Sequence, residues 1–201
     1  VTHLCHFDIP LLSNIPNLVY LAPTNREEYL AMLDWSLSYR EHPVAIRVPV
    51  GVTLPATRPV PTDYSALNTY EVVERGKDVA ILALGNFFSL GERVCRLLEA
   101  HGIRATLINP RYISGVDCDL LDSLATDHRL VVTLEDGALN GGFGEKIARH
   151  FGATGVKTLC YGAKKQFADR YAPKEFLAAN RLVDTMIVED IMKHSQGKLE
   201  R

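Results

Sequence analysis

The stretch Leu130-Val-Val-Thr-Leu134 and the segment Glu135-Asp-Gly-Ala-Leu-Asn-Gly-Gly-Phe-Gly144 that follows it decide the fold of this chain. The first is an apolar run with the length of a strand. The second is a glycine-rich turn that leads into a helix predicted over residues 142–151. A strand that passes through a short turn into a helix is the repeating unit of an α/β sheet.

The same alternation continues on both sides of this stretch. Apolar runs predict further strands at residues 79–84, 105–108 and 156–160. Helices are predicted at residues 87–101 and 117–124, and two closing helices follow, one opened by Pro173 and one capped by Asp184. Alternating strands and helices predict a mainly parallel sheet with helices on both faces.

Two units joined by a connector are predicted along the chain. Residues 1–50 read as short helix, strand, helix and strand, with a capping box at Thr24-Asn-Arg-Glu27 before the second helix. Residues 51–69 form a proline-rich connector that should lie extended across a surface. Residues 70–201 carry the sheet described above.

Composition excludes several classes of protein. The chain has 201 residues and a formal net charge of −2, so no broad basic surface is expected to attract nucleic acid or a membrane. No apolar run approaches the roughly 20 residues that cross a bilayer. The four cysteines are scattered, which is typical of reduced thiols in a cytoplasmic protein. The chain opens without Met, and we interpret its first residue as a cut end.

The glycine-rich turn and the N-terminal histidines are the first candidates for chemistry. Gly141-Gly-Phe-Gly144 precedes a helix whose N-terminus could hold an anion, although a packing turn is favoured because the spacing differs from a dinucleotide motif. His3-Leu-Cys-His6 lacks the further ligands that a structural zinc site needs. His3 could instead donate to a substrate oxygen, and a structural histidine is the alternative.

Arg47 is the third candidate, because it lies inside an apolar strand predicted over residues 44–48. A charged side chain there needs an ionic partner, a ligand or a route to solvent. Pairing within the protein is favoured, and binding of a substrate is the alternative.

Several of these segments, in one order, resemble the transketolase superfamily. The opening Thr2-His3 with Phe7-Asp8 is similar to the D-G-x-T-H-x-G-x-F-D signature of the 1-deoxy-D-xylulose-5-phosphate synthases, without its first two residues. Pro43-Val-Ala-Ile-Arg47 resembles the G-P-x-A-I-R-Y-P-R-G strand of that family. Asn109-Pro-Arg111, and Val132-Thr-Leu-Glu135 with Gly141-Gly-Phe-Gly144, resemble its C-terminal domain.

This resemblance implies a fold and a reaction. Residues 1–50 would be the C-terminal half of the pyrimidine-binding domain, and residues 70–201 the transketolase C-terminal domain with a five-stranded, mainly parallel sheet. The whole enzyme would use thiamine diphosphate and Mg, and would join pyruvate to glyceraldehyde 3-phosphate with release of carbon dioxide. It would be a homodimer in isoprenoid and thiamine biosynthesis.

The resemblance assigns roles to few individual residues of this chain. His3 matches the histidine that faces the substrate, and this makes it the catalytic candidate; Arg47 is the substrate-binding candidate. The phosphate-binding Arg of the family falls on Val50, and a Gly falls on Cys5, so the acceptor substrate is left open. The cofactor and metal motifs lie upstream in the family, so we expect this chain alone to bind neither and to be inactive.

Three hypotheses therefore stand side by side. The chain is a C-terminal part of a synthase-like enzyme whose partners are its own upstream domains; or it is a subunit of a split transketolase-like enzyme with another acceptor; or it is a non-catalytic interaction module. In each case the absent half-domain should leave an apolar face on residues 1–50 uncovered.

Overall fold

A computed structural model of the chain describes residues 6–48, 54–166 and 172–196. The first unit holds a small parallel sheet of two strands, with Val19 beside Val44 and Leu21 beside Ile46. Its elements are α1 (Asp8–Leu12), β1 (Val19–Leu21), α2 (Arg26–Ser38) and β2 (Val44–Ile46). The predicted order of helix, strand, helix and strand is therefore present.

The second unit holds a five-stranded sheet in the order β3-β5-β4-β6-β7. Only β3 runs antiparallel to its neighbour. The strands are β3 (Glu71–Glu74), β4 (Asp78–Ala83), β5 (Thr106–Asn109), β6 (His128–Ala138) and β7 (Lys157–Ala163). The helices are α3 (Phe88–Ala100), α4 (Cys118–Asp127), α5 (Phe143–Phe151), α6 (Pro173–Ala179) and α7 (Asp184–Gln196), with a 3-10 turn at Gly85–Phe87.

Both faces of this sheet are covered, which explains why β4 reads as an unbroken apolar run. Val79 and Ile81 belong to the core under α3 and α7, whereas Ala80 and Leu82 belong to the core under α4 and α5. Side chains alternate along a strand, so only a strand buried on both sides needs apolar residues throughout. The predicted fold class, a mainly parallel sheet with helices on both faces, is confirmed.

The strand β3 was missed by the sequence prediction. Glu71-Val-Val-Glu74 has acidic residues at both ends, and none of its four residues is fully buried. It pairs antiparallel with β5 at the edge of the sheet, where one side of the strand needs no partner. Edge strands therefore lack the apolar run by which the central strands were found.

The capping box predicted at Thr24 and Glu27 is wrong by one residue. Asn25 caps α2, and its side-chain oxygen accepts from the Glu28 backbone N–H at 2.8 Å. The Glu28 carboxylate then reaches back to the Thr24 N–H, also at 2.8 Å. Glu27 instead accepts from the backbone N–H of Ala56 at 2.6 Å, and so ties α2 to the connector. Asn and Thr are both good caps, so the sequence alone could not choose between them.

Helix α2 turns its leucines outward. Met32 and Trp35 are buried beneath it, whereas Leu30, Leu33 and Leu37 are 53%, 37% and 67% exposed. Positions spaced three and four residues apart lie on one helix face. The first unit therefore carries an exposed apolar stripe on α2, and its interpretation as half of a domain stays a prediction.

The two units share one core. Ile9, Tyr20 and Ala22 of the first unit pack in the same cluster as Leu82 and Leu84 of the second. No helix in the described part of the chain combines the length and the apolar character needed to cross a membrane.

The connector packs against both units. Tyr64 is buried, and its carbonyl accepts from the Tyr112 hydroxyl at 2.7 Å. Arg58 lies over the Phe88 ring, 4.4 Å from its centre. The division at residues 50 and 70 stays a prediction, because contacts run across it.

Candidate functional site

The candidate site lies at the carboxyl ends of the parallel strands, where α/β proteins bind their ligands. Arg47 follows β2, Asp8 opens α1, and Asp136 lies near the end of β6. These three residues come from distant parts of the chain and meet where the first unit packs on the large sheet. We call them the Asp8–Arg47–Asp136 cluster.

The geometry of this cluster is that of a partly buried ion pair with two acceptors. Arg47 Nε donates to Asp8 Oδ2 at 2.6 Å, and Arg47 Nη1 donates to Asp136 Oδ1. The Tyr20 hydroxyl donates to the same Asp8 oxygen at 2.7 Å. The Arg47 and Asp8 side chains are 15% and 14% exposed. Hydrogen bonds to charged groups of this kind are stronger than neutral ones.

Charge in the cluster explains how Arg47 is accommodated near the end of a strand. Burial alone would lower the pKa of Arg47, but the charges and hydrogen bonds of Asp136 and Asp8 outweigh burial and raise its pKa. Arg47 is therefore firmly charged and already satisfied by two carboxylates, as the pairing alternative requires. Substrate binding by Arg47 stays a prediction.

Asp8 and Asp136 were not singled out from the sequence. Asp8 ends the Phe7-Asp8 pair of the opening motif, and Asp136 is the second of two adjacent acids at the end of an apolar strand. Both of these sequence features were visible before the structure. Neither identifies a partner, because Asp8 is 39 residues from Arg47 in the chain and Asp136 is 89 residues from it.

The opening segment runs directly against the end of β6. The backbone carbonyl of His6 accepts from the Ala138 N–H at 2.7 Å, and a Cβ on Gly137 would lie 2.8 Å from the Ile9 side chain. The His6 ring is buried and stacks on Phe176 with centroids 4.8 Å apart. His3, the catalytic candidate, lies outside the described residues, and so do Cys5 and Val50.

The glycine-rich turn holds a carboxyl group that belongs to the protein itself. The Glu135 carboxylate accepts from the backbone N–H groups of Phe143 and Gly144, at 2.9 and 2.8 Å, in the first turn of α5. Glu135 is fully buried. It therefore occupies the position where an external phosphate would bind, and the favoured interpretation as a packing turn agrees with this geometry.

Burial makes Glu135 an unusual carboxyl group. Its pKa is raised to about 7, because the loss of water outweighs the two backbone hydrogen bonds that favour the charged form. The glycines allow its close approach to the helix. A Cβ on Gly142 would lie 2.7 Å from the Glu135 carboxylate and 2.4 Å from the Ala138 carbonyl oxygen.

The Asn109-Pro-Arg111 motif joins the two units. The buried Glu28 carboxylate accepts from Asn109 Nδ2 at 3.1 Å and from Arg111 Nε at 3.0 Å. Arg111 also pairs with Glu71 at 2.7 Å. The sequence marked this motif only by its resemblance, and in the structure it anchors α2 to the end of β5.

The part of the chain that the structure describes shows no cluster of candidate metal ligands. Within residues 6–48, 54–166 and 172–196, no group of three or more His, Cys, Asp or Glu side chains is arranged to hold a metal ion. The acids of the site are instead used to neutralise Arg47 and to cap α5. We therefore assign neither Mg nor a diphosphate to described side chains of this chain.

Comparison with known proteins identifies the family of the second unit. The family model described as "Transketolase, C-terminal domain" matches residues 68–187. The chain belongs to the transketolase C-terminal domain family. The glycine-rich turn, the Asn109-Pro-Arg111 motif and the five-stranded sheet all lie within the matched residues.

Curated relatives extend the similarity to the first unit. A 1-deoxy-D-xylulose-5-phosphate synthase from Gloeothece citriformis is 33% identical over 198 residues, which are 96% of this chain and 31% of the relative. The synthase from Heliobacterium modesticaldum is 36% identical over 155 residues, or 77% of this chain and 24% of the relative. The chain thus spans about a third or less of the length of these relatives.

Solved structures agree on the fold. A split-gene transketolase, described as an inactive beta4 tetramer, superposes with a TM-score of 0.77 at 26% identity, covering 94% of this chain and 61% of that one. The transketolase of Campylobacter jejuni superposes with a TM-score of 0.73 at 14% identity, covering 94% of this chain and 28% of that one. The second likeness concerns the fold alone.

Proposed function

We propose that this chain is the C-terminal part of a thiamine-diphosphate-dependent transferase of the 1-deoxy-D-xylulose-5-phosphate synthase type. The observation that carries the proposal is the 33% identity to such synthases over 96% of the chain. The reaction would join pyruvate to glyceraldehyde 3-phosphate and release carbon dioxide. The enzyme would be a cytoplasmic homodimer whose other domains hold the cofactor and Mg.

His3 is the residue to which we assign chemistry. It would hydrogen-bond to, or exchange a proton with, a developing hydroxyl of the substrate. The described residues support this role indirectly, because His6 and Asp8 tie the same segment to the end of β6 and to Arg47. Arg47 would position that segment and could lend a remaining N–H to a substrate oxygen.

The identity of the acceptor substrate is a separate part of the proposal. Val50 stands where the family has an arginine for phosphate, and valine offers no donor. We propose glyceraldehyde 3-phosphate on the strength of the relatives, with an unphosphorylated aldehyde as the competing acceptor. The ratio of kcat/KM for these two aldehydes distinguishes them.

The test uses the 201-residue polypeptide with and without the separately produced upstream domains of the synthase. Each sample receives labelled pyruvate, thiamine diphosphate, Mg and one of the two aldehydes, and carbon dioxide and product are measured by NMR. We expect no turnover by the polypeptide alone and turnover after reconstitution. Turnover by the polypeptide alone would refute its proposed inactivity, and failure to consume pyruvate after reconstitution would refute the synthase assignment.

His3→Gln is the matched variant in the reconstituted enzyme. Loss of one general acid or base costs about 10²–10⁴ in rate, so we expect kcat to fall within that range. His101→Gln, an exposed histidine just after α3, serves as control and should keep full activity. Equal activity of the two variants would remove His3 from the mechanism.

A subunit of a split enzyme is the second candidate. The likeness to the split-gene transketolase, at 26% identity and 94% coverage of this chain, favours it. The exposed stripe of Leu30, Leu33 and Leu37 offers a surface for a separate chain. Co-purification with a separately encoded cofactor-binding subunit would support this candidate, whereas a single long reading frame would exclude it.

A further inference from the structure

A basic cavity lies at the amino ends of the parallel strands, on the opposite side of the sheet from the carboxyl ends that carry the candidate site. It is open to solvent, has a volume of about 870 Å³ and is lined mainly by residues at the amino ends of the parallel strands. Six of the 22 Lys and Arg residues of the chain line it, although the whole chain carries a net charge of −2. These six are Arg75, Lys77, Arg104, Arg129, Lys157 and Lys193.

Most of this positive charge has no acidic partner among the residues that the structure describes. Among the described residues, Arg129 pairs with Asp78 at 3.4 Å and Lys193 with Asp190 at 3.5 Å. Arg75, Lys77, Arg104 and Lys157 have no carboxylate of the described residues within ion-pair distance, and Asp78 is the one acid in the lining. Like charges gathered in a concave surface add their potentials and concentrate anions from solution.

The backbone beneath the cavity is closely packed. A Cβ on Gly76 would come within 2.0 Å of the Arg104 carbonyl oxygen, which also accepts from the Lys77 N–H at 3.0 Å. The segments that carry Arg75, Lys77 and Arg104 are therefore held side by side.

A buried hydrogen-bond chain supports them from below. The Gly76 N–H donates to Thr106 Oγ1, whose hydroxyl faces His128 Nε2 at 2.7 Å. On the other side of the ring, His128 Nδ1 lies 2.6 Å from Asp127 Oδ1. The cavity thus has a rigid floor, which spares a ligand part of the entropy cost of ordering it.

Stabilisation of a helix C-terminus explains only some of the basic residues around the cavity. Cations in the last turn of a helix stabilise its exposed carbonyl groups. Lys193 and His194 lie in the last turn of α7 and are explained in this way. Arg75, Lys77, Arg104 and Lys157 lie on strand ends and in turns, outside any helix. For these residues, helix stabilisation gives no reason to share one cavity.

We propose that the basic cavity binds a small molecule through a chain of phosphate groups, as in inorganic triphosphate or a nucleoside triphosphate. Several cations around one open volume suit a multiply charged anion better than a single phosphate, since each added charge finds another partner. Asp136 lies eight residues further along β6 than His128, which corresponds to roughly 26 Å of strand. The cavity is therefore separate from the candidate site, and the proposal does not depend on the synthase assignment.

The experiment is isothermal titration of the purified protein with inorganic triphosphate in magnesium-free buffer, at low and at high salt. Parallel titrations with ATP and orthophosphate show whether the phosphate chain suffices. The test variant is Arg104→Gln/Lys157→Gln, and the control Lys165→Gln/Lys174→Gln removes the same charge from exposed positions elsewhere. All four residues are exposed, so the fold should be kept.

We expect triphosphate and ATP to bind with similar Kd, orthophosphate to bind more weakly, and affinity to fall as salt rises. The cavity variant should bind about tenfold or more weakly, which is about 1.4 kcal/mol, whereas the control should stay within about twofold of the wild type. Equal Kd in the two variants, or no binding of triphosphate at millimolar concentration, overturns the proposal. Binding of RNA or an acidic peptide without binding of triphosphate also overturns it.

Discussion

Arg47 and Glu135 are two ionisable residues of the interior in which burial and hydrogen bonding balance differently. Arg47 meets two carboxylates, so its charged form is stabilised and its pKa is raised. Glu135 meets two backbone N–H groups but hardly any water, so its neutral form gains and its pKa rises to about 7. Each balance predicts a different response to mutation.

Arg47→Gln should destabilise the protein. It leaves Asp8 and Asp136 side by side with no cation between them, each about four-fifths or more buried. Removing one member of a buried pair costs about 3–5 kcal/mol, and partial exposure here reduces that to about 2–3 kcal/mol. Urea unfolding measures it. Arg40→Gln is the control, because this exposed residue donates to the backbone carbonyls of Leu37 and Tyr39, and it should cost under about 0.5 kcal/mol. Equal losses in both variants would contradict the assigned role of Arg47.

Glu135→Gln should change how stability depends on pH. The pKa of Glu135 is raised from 4.5 to about 7, so between these values the folded protein holds a proton that the unfolded chain releases. Its contribution to stability is thus complete below pH 4.5 and is lost as the pH rises through 7.

The variant lacks this titration, so the stability of E135Q relative to wild type should improve by roughly 3 kcal/mol from pH 4.5 to pH 8. Urea midpoints measured across that range test it. A difference that stays constant over the range would show that the pKa of Glu135 is not raised.

At the level of elements, glycines set how closely α5 approaches the sheet. A Cβ on Gly144 would lie 2.6 Å from Thr133 Oγ1 and 3.0 Å from the Cys160 Cβ, on the two strands beneath the helix. Both strands are held in the sheet, because Thr133 pairs with Cys160 and β6 also pairs with β4. The helix position therefore depends on the absence of a side chain.

Gly144→Ala should cost about 1–3 kcal/mol, the usual cost of overpacking a core. Gly155→Ala is the matched control, because a Cβ there has no neighbour within 4 Å. Thermal unfolding of the two variants measures the difference. A Gly144→Ala protein that melts with the control would mean that α5 can shift away from the sheet at little cost.

At the level of the whole molecule, the shared core and the Glu28–Arg111 pair join the two sheets. Trp35, the single tryptophan, is buried in α2 of the first unit. Most of the strand and helix signal comes from the second unit.

We therefore expect urea transitions followed by Trp35 fluorescence and by far-UV circular dichroism to coincide. Glu28→Gln should shift both transitions together, because Glu28 bonds to Asn109 and Arg111 across the boundary. Leu37→Gln, on the exposed face of α2, is the control and should leave both in place. Two separated transitions would show that the units unfold independently.

The sequence by itself determined the sheet class and most of its elements. The run 130–134 and its glycine turn predicted β6 and α5, and the helix predicted over 87–101 matches α3, which ends just before Gly102 with its φ of +78°. Such features depend on residues close in the chain, through periodicity, capping and backbone freedom. The resemblance to the transketolase superfamily had the same source, since it rested on short ordered motifs.

Only the tertiary structure decided which residues meet. The partners of Arg47 lie 39 and 89 residues away, and two partners of Glu28, Asn109 and Arg111, lie more than 80 residues away. The outward leucines of α2, the edge strand β3 and the basic cavity likewise depend on what packs beside them. A sequence pattern records the environment of a residue along its own helix or strand, whereas charge pairing, edge position and concavity arise only when distant segments are brought together.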